Sequence, residues 1–289
     1  MPDCWMFPPC PPCYVLGGRF GDIIQMLPCF AEIRKRTGTR PVVFSSKIYS
    51  NVYEGVTYVD YHSVNEGWWE MVPKAKALAE ETYGHAHVVQ FWTMPPAHDD
   101  AIGFRGKGWT VLQCHGHAHG VNVALDPDYG TSMARRCGFT RAEWVKLPLV
   151  FDRRNQVREN ELVQSFIPNE QRPVVLYNFN GISSPFPFAP EVLNMLLPRF
   201  GRQFRMLDLG KVNAHRIYDL LGLYDRAVGL VTSDTATAHL AAGSKIPTIW
   251  FCVDGWTGSV PRGNVAFSCR YNAVRASLPK VAEVIQSWR

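Results

Sequence analysis

Two short segments of the sequence place an aspartate among small residues directly after an apolar run. The first is VLGGRFGD at 15–22, which ends on Asp22, and the second is VTSDTATAH at 231–239, which contains Asp234 and His239. A carboxylate in such a place can serve as a general base. Small residues at a helix start can bind phosphate, because the first N–H groups of a helix have no partner within it and carry partial positive charge.

The second segment predicts a binding site for a diphosphate. Close N–H groups of residues 235–238 and the threonine hydroxyls are the expected donors, with the histidine about one turn into the helix. A protonated His239 would make anion binding weaken as the pH rises through about 6–7. The predicted contacts are Asp234, Thr235, Ala236, Thr237 and His239. The local alternative is that Ser233 or Asp234 only caps the helix and that the histidine is packed in the core.

The first segment predicts a tight turn followed by a helix. Gly17, Gly18 and Gly21 permit close approach of a ligand to the backbone. Their G-G-x-x-G spacing differs from the G-x-G-x-x-G fingerprint of dinucleotide-binding proteins, so the segment does not indicate that function. Asp22 stands at the helix start, where it is either the N-cap or a general base.

Strand and helix patterns alternate at short spacing along the whole chain, which predicts parallel sheets wrapped by helices. The class is therefore α/β, with two parallel-sheet domains at 1–152 and 153–289. The polar block DRRNQVRENE at 152–161 is the expected linker or domain edge. Ligands bind at the carboxyl ends of the strands in this architecture, so we expect them in a cleft between the domains.

Composition limits the protein class without identifying it. The chain has 289 residues, of which 46% are hydrophobic and 19% charged, as in ordinary globular enzymes. No secretory signal or membrane-length apolar run is visible, so the expected location is cytoplasmic. The 8 cysteines are mostly scattered through apolar segments, which favours reduced, buried thiols. A net charge of +5 suits an anionic ligand and suits an ordinary solvated surface equally well.

The two segments together resemble a known family. GRFGDIIQMLPCFAEIRKR and AVGLVTSDTATAHLAAGSKIPTIWF are similar to the two signatures of the ADP-heptose:lipopolysaccharide heptosyltransferases, glycosyltransferase family 9. The resemblance implies a GT-B fold, in which two Rossmann-like domains face each other across a cleft. It also implies a nucleotide-sugar in the carboxyl-terminal domain, an acceptor in the amino-terminal domain, and inverting transfer with Asp22 as base. No metal and no cofactor beyond the nucleotide-sugar co-substrate is implied.

The sequence departs from the family pattern in the predicted donor site. Ala236 stands where the family usually has glycine, and the run NGISSPFPFAPEV lacks the lysine that the family often carries after the first strand of this domain. Ser183 and Ser184 can donate hydrogen bonds there but cannot supply charge. Lys211 or Arg19 is the expected substitute cation, with Gly18 and Arg19 also predicted to contact the acceptor or a phosphate.

Cysteine and histidine clusters suggest a further possibility. CPPC at 10–13 and CHGHAHG at 114–120 contain zinc-type ligands, although the Pro-Pro pair and the alternating histidines favour an unmetallated loop. The prediction is therefore no metal site, with His115 and His117 as candidate acceptor or phosphate contacts. Basic residues interleaved with aromatic ones in FRGKGW at 104–109 suit a phosphosugar or nucleic-acid acceptor.

Three functions follow in order of preference. The first is transfer of a sugar from a nucleotide-sugar to a saccharide such as a lipopolysaccharide core. The second keeps the donor but transfers the sugar to a modified base in DNA, and the third is nucleotide binding without catalysis. Asp22 favours the enzymes over the third alternative. The sequence leaves the oligomeric state open.

Overall fold

A computed structural model of the chain describes residues 11–67, 70–89, 92–93, 110–111, 124–125, 129–181, 184–254 and 261–288. The chain divides into two compact units, Met1–Arg153 and Arg154–Arg289. Among the described residues, no helix combines the length and the apolar character that a membrane span requires.

The amino-terminal unit is built on a four-stranded parallel sheet with the order β3-β2-β1-β4. Its larger strands are β1 (Cys13–Leu16), β2 (Val42–Ser46), β3 (Asp60–Val64) and β4 (His87–Val89). The short strands β5 (Trp92–Thr93), β6 (Thr110–Val111) and β7 (Ala124–Leu125) form a separate antiparallel sheet. Its helices are α1 (Phe20–Thr37), α2 (Met71–Tyr83), α3 (Tyr129–Arg136) and α4 (Arg141–Trp144). The chain reverses its direction of winding between β1 and β4, which makes the carboxyl end of β1 a topological switch point.

Helix α1 forms where the sequence places apolar residues at helical spacing. Ile23, Leu27 and Phe30 are fully buried, and the last turn carries three basic residues that suit the negative end of the helix dipole. The helix ends at Gly38, which adopts the left-handed conformation at φ 75° and donates its N–H to the carbonyl of Arg34. The buried face and the capped end therefore fix the position of the helix in this unit.

The carboxyl-terminal unit is built on a five-stranded parallel sheet with the order β12-β11-β10-β8-β9. Its strands are β8 (Val174–Asn178), β9 (Arg205–Asp208), β10 (Gly229–Ser233), β11 (Thr248–Cys252) and β12 (Val265–Arg270). Its helices are α5 (Gln156–Phe166), α6 (Ala189–Phe200), α7 (Leu221–Tyr224), α8 (Ala236–Leu240) and α9 (Val274–Gln286). The switch point of this sheet lies between β8 and β10.

The core of the second unit explains why the sequences of its central strands are continuous apolar runs. Val231, Ile249 and Phe251 are fully buried, and α6 and α9 contribute Val192 and Ile285 to the same apolar cluster. Strands buried on both faces have no polar alternation, which is usual in parallel sheets covered by helices. The predicted α/β class with two parallel-sheet units is confirmed.

Three elements differ from the sequence-based expectations. The polar block at 152–161 is helical from Gln156 onward, because Asn155 caps the helix and Glu159 is buried in an ion pair with Arg154. The apolar spacing of AHRIYDLLGL at 214–223 predicts one helix, but the structure has a 3-10 turn at Ile217–Leu220 followed by the single turn of α7. Strand β12 is an addition to the predicted elements, an edge strand whose side chains alternate between half-buried and exposed.

Candidate functional site

The Asp22 loop, residues 17–22, connects β1 to α1 at the switch point of the first sheet. The helix begins at Phe20, with Arg19 as the N-cap, so Asp22 is the third residue of the helix. Its Oδ2 atom accepts a hydrogen bond of 2.8 Å from the Arg19 N–H. Asp22 is therefore not the N-cap residue, because the helix starts earlier than its apolar pattern suggests, but its side chain caps the helix start from the third position. The carboxylate is half-buried and held by the backbone that precedes it.

Gly18 allows the Asp22 carboxylate to fold back over its own loop. A Cβ atom at Gly18 would lie 2.5 Å from the Asp22 Cβ and 3.0 Å from Oδ2. Real Cβ atoms do not approach other carbon atoms so closely, so a larger residue would push the carboxylate aside. The predicted contacts Gly18, Arg19 and Asp22 are thus neighbours in one small, sterically determined turn.

The Asp234 loop, residues 233–239, connects β10 to α8 at the switch point of the second sheet. Thr235 is the N-cap of α8, in an extended conformation and without a capping hydrogen bond from a helix N–H to its side chain. Neither alternative cap, Ser233 or Asp234, has that role. The N–H of Ala238 donates to the Thr235 carbonyl at 3.0 Å, so it is occupied within the turn and cannot also bind a ligand. The N–H groups that remain available to a ligand are therefore those of residues 235–237, instead of the expected 235–238.

The threonine hydroxyls bind one another. Thr235 Oγ1 and Thr237 Oγ1 lie 2.7 Å apart, and the Asn178 side-chain amide donates to Thr237 Oγ1 at 3.1 Å. Thr232 Oγ1 donates to the Asn178 carbonyl at 3.1 Å. This network joins the end of β8 to the end of β10, and Thr237 is only 7% exposed. Sequence analysis did not identify Asn178 as a site residue. Its position as a polar residue at the end of an otherwise apolar strand could have indicated it.

His239 is packed inside the unit. Its ring meets Trp250 edge-on at 5.1 Å between centroids, and its Nε2 lies 3.6 Å from Asp234 Oδ1. Burial, followed by the nearby Arg262 charge, lowers the pKa of His239 to about 3. The Asp234 carboxylate favours the protonated ring, but desolvation outweighs it in this buried position. The expected protonated His239 near neutral pH is therefore wrong, because the ring is neutral there.

Arg262 is a buried cation that sequence analysis missed. Only 7% of the residue is exposed, and its charge acts on the His239 ring. The next residue, Gly263, has φ +82°, and a Cβ there would lie 2.8 Å from the Ala242 Cα. Glycine thus brings the Arg262 segment against the turn that follows α8. In the sequence, this position is marked by an Arg-Gly pair shortly before residues with a strand-like pattern.

The remaining predicted residues have different surroundings. Ser184 is buried, and its carbonyl accepts a hydrogen bond from the Tyr271 hydroxyl at 3.4 Å. Lys211 is exposed in the 3-10 turn after β9, and the neighbouring Gly210 packs against the side chain of Asn180. Ser183, His115, His117 and Cys10 lie outside the described residues. Within the described part of the chain, no three His, Cys, Asp or Glu side chains are arranged to hold a metal ion.

Comparison with known proteins gives matches in structure alone. No protein-family profile and no curated protein matches the sequence. A glycosyl transferase family 9 structure from Veillonella parvula DSM 2008 is 11% identical with a TM-score of 0.58, covering 96% of this chain and 97% of that one. The E. coli ADP-heptose lps heptosyltransferase II is 12% identical with a TM-score of 0.57, covering 96% of this chain and 98% of its own.

A third structure matches over part of its own length. The iron-containing dodecameric glycosyltransferase TibC from enterotoxigenic E. coli H10407 is 10% identical with a TM-score of 0.53, covering 90% of this chain and 62% of TibC. The GT-B fold that the resemblance implied is confirmed by these matches. Each candidate loop lies at the switch point of its own sheet, where this class of fold binds ligands.

Proposed function

We propose that this chain is an inverting, heptosyltransferase-like glycosyltransferase that moves a sugar from a nucleotide-sugar to an acceptor hydroxyl. One observation carries the proposal. In a fold shared with glycosyltransferases over 96% of the chain, Gly18 and the Arg19 N–H hold a half-buried carboxylate at a ligand-binding switch point. A fixed carboxylate at that position is suited to remove a proton from a bound hydroxyl.

In the proposed reaction, Asp22 takes the proton of the acceptor hydroxyl while that oxygen attacks the anomeric carbon of the donor sugar. The bond from this carbon to the diphosphate breaks on the opposite side, so the anomeric configuration inverts. Gly18 and Arg19 are proposed to contact the acceptor or a phosphate next to the base. The proposed acceptor is a saccharide, because one matching structure is named as a lipopolysaccharide heptosyltransferase. The basic and aromatic residues that suggested a DNA acceptor lie outside the described residues.

The Asp234 loop is proposed to bind the donor. The N–H groups of Thr235, Ala236 and Thr237 precede the first intrahelical bond, so they can bind the diphosphate oxygens. Ser183, Ser184 and Lys211 are proposed as further donor contacts, with His239 as a neutral, packed wall of the site. N–H groups and side chains that stabilise the leaving diphosphate make a bound metal unnecessary.

The test is a transfer assay with ADP-heptose as donor and a lipopolysaccharide core lacking its terminal heptose as acceptor. We expect a glycosylated product, with NMR showing inverted anomeric configuration and with activity that survives treatment with a chelator. Retained configuration would contradict the proposed role of Asp22. Donor binding without any transfer, tested over a panel of nucleotide-sugars and saccharides, would leave only the non-catalytic alternative.

A further inference from the structure

The proposed donor site has an unsolved problem of charge. A diphosphate brings negative charge to a loop that already contains the buried carboxylate of Asp234, which is 6% exposed. His239 cannot compensate, because its lowered pKa of about 3 leaves the ring neutral. The segment NGISSPFPFAPEV beside the loop contains no basic residue. Two negative groups in a water-poor site repel each other strongly unless a cation lies close to both.

Arg262 is positioned to be that cation. Its segment packs against the turn after α8 through the close contact between Gly263 and Ala242. It is 7% exposed, and its charge reaches the ring of His239. The same ring lies 3.6 Å from Asp234 at the carboxyl end of β10, so the His239 ring neighbours the carboxylate and also lies within reach of the arginine's charge.

We propose that Arg262 is the anion-binding residue of the Asp234 loop and that it recognises ligands that contain a pyrophosphate group. The guanidinium balances the charge of Asp234 and offers its planar donors to the diphosphate oxygens of the nucleotide-sugar. This inference rests on the proposed function, because it names a further residue of the same proposed donor site. It replaces the two cations that sequence analysis offered, Lys211 and Arg19, in this role.

Burial and geometry favour Arg262 over Lys211. Lys211 is exposed after β9, and ordering a long exposed side chain opposes binding through lost rotamer freedom. Arg262 is already confined by its surroundings, so less freedom is lost when a ligand binds. An arginine also presents two parallel N–H donors to phosphate oxygens, which a lysine cannot do.

The test uses inorganic pyrophosphate, which probes the anion site without any assumption about base or sugar. Calorimetry on the full chain compares the wild type with Arg262→Gln, Arg262→Lys and the control Lys245→Gln. Lys245 is exposed beyond the turn after α8, so its variant removes one nearby positive charge without touching the cluster. We expect about a 10- to 100-fold loss of pyrophosphate affinity in Arg262→Gln and almost none in the control.

A purely structural role for Arg262 predicts a different result. In that case Arg262→Gln lowers the urea midpoint, while the folded variant binds pyrophosphate as the wild type does, and this outcome overturns the proposal. If Arg262→Gln does not fold, Arg262→Lys decides the question, because lysine keeps the charge and loses the paired donors. A clear weakening of pyrophosphate binding in Arg262→Lys supports the proposal, and wild-type affinity overturns it.

The result also separates this inference from the proposed function. Arginine-dependent pyrophosphate binding in a protein that transfers no sugar would establish the anion site and refute the glycosyltransferase. Sugar transfer by the wild type, with pyrophosphate binding unchanged in a folded Arg262→Gln, would establish the enzyme and refute the role of the arginine. A wild-type protein that binds no pyrophosphate also refutes it.

Discussion

The Asp22 loop and the Asp234 loop have the same position in their respective sheets and are constructed differently. Each follows a central strand at a topological switch point and leads into a helix with an aspartate near its start. In the Asp22 loop, the carboxylate is half-buried and accepts a backbone N–H. In the Asp234 loop, the carboxylate is 6% exposed beside a neutral histidine and near a buried arginine.

This difference shows that the two aspartates are suited to different tasks. A base must meet its substrate, so a half-buried carboxylate held by a glycine and one N–H suits proton transfer. A carboxylate enclosed with His239 is suited instead to fixing the surrounding groups, and the threonine network braces the same loop. We therefore propose that the first loop is the reactive one and the second the supporting one, and each of the following experiments tests that division.

Replacement of Asp22 by asparagine should reduce catalysis more strongly than any other change tested. Asparagine keeps an oxygen that can accept the Arg19 N–H but cannot act as a base, so single-turnover sugar transfer should fall by about 10²–10⁴. The melting temperature and pyrophosphate affinity should change little. Glu32→Gln is the matched control, because it neutralises another carboxylate of α1, paired on the surface with Arg36. A stable Asp22→Asn variant that transfers sugar at nearly the wild-type rate would show that Asp22 is not the base. The Asp22 loop would then have no reactive role that the Asp234 loop lacks.

The next effect concerns His239 and stability. The unfolded protein protonates this ring below its ordinary pKa of 6.5, whereas the folded protein keeps it neutral down to about 3. The unfolded state therefore binds more protons in this window, and the free energy of unfolding should fall as the pH is lowered from 6.5 towards 3, by on the order of 1 kcal/mol per pH unit at the steepest part. Urea denaturation of the wild type and His239→Gln across this range measures the effect. Parallel slopes for the two proteins would show that the ring is accessible to protons.

Gly18→Ala tests whether sterics hold the reactive loop. The new Cβ would lie 2.5 Å from that of Asp22, so the carboxylate must move, at a cost of about 1–3 kcal/mol in stability and with a loss of transfer activity. Gly38→Ala is the control at the other end of the same helix. Its φ of +75° strains an alanine by about 1 kcal/mol, with no atom nearby to displace. Equal activity of the two folded variants would show that the Gly18 contact does not position the base.

The smallest expected effect comes from Thr237→Val in the supporting loop. Valine keeps the shape and removes the hydroxyl that accepts from Asn178 at 3.1 Å, so the free energy of unfolding should fall by about 1 kcal/mol. Pyrophosphate affinity of the folded variant should stay close to that of the wild type. Thr82→Val, which removes an exposed hydroxyl on α2, is the comparison for stability. Reduced affinity at unchanged stability would instead make this hydroxyl a ligand contact.

The local features of this protein follow from short stretches of its sequence. Strand and helix periods are set by neighbouring residues, so the alternation, the α/β class and the placement of Asp22 and Asp234 after strands were readable directly. The helix that follows Asn155 could not be predicted in this way, because it depends on the cap and on the burial of Glu159 against Arg154. The register of the α1 start was missed for a related reason, since its capping contact lies outside the apolar pattern.

Only the tertiary structure decided how the candidate residues are used. The bond that engages the Thr237 hydroxyl comes from Asn178, 59 residues away in the chain, and no periodicity encodes such a contact. The order of the strands, and therefore the two switch points, arises from packing of the complete sheets. His239 is neutral because burial removes water from its ring and Arg262 comes to lie near it. A pKa depends on solvent and on charges in space, and both are set only when distant parts of the chain have packed together.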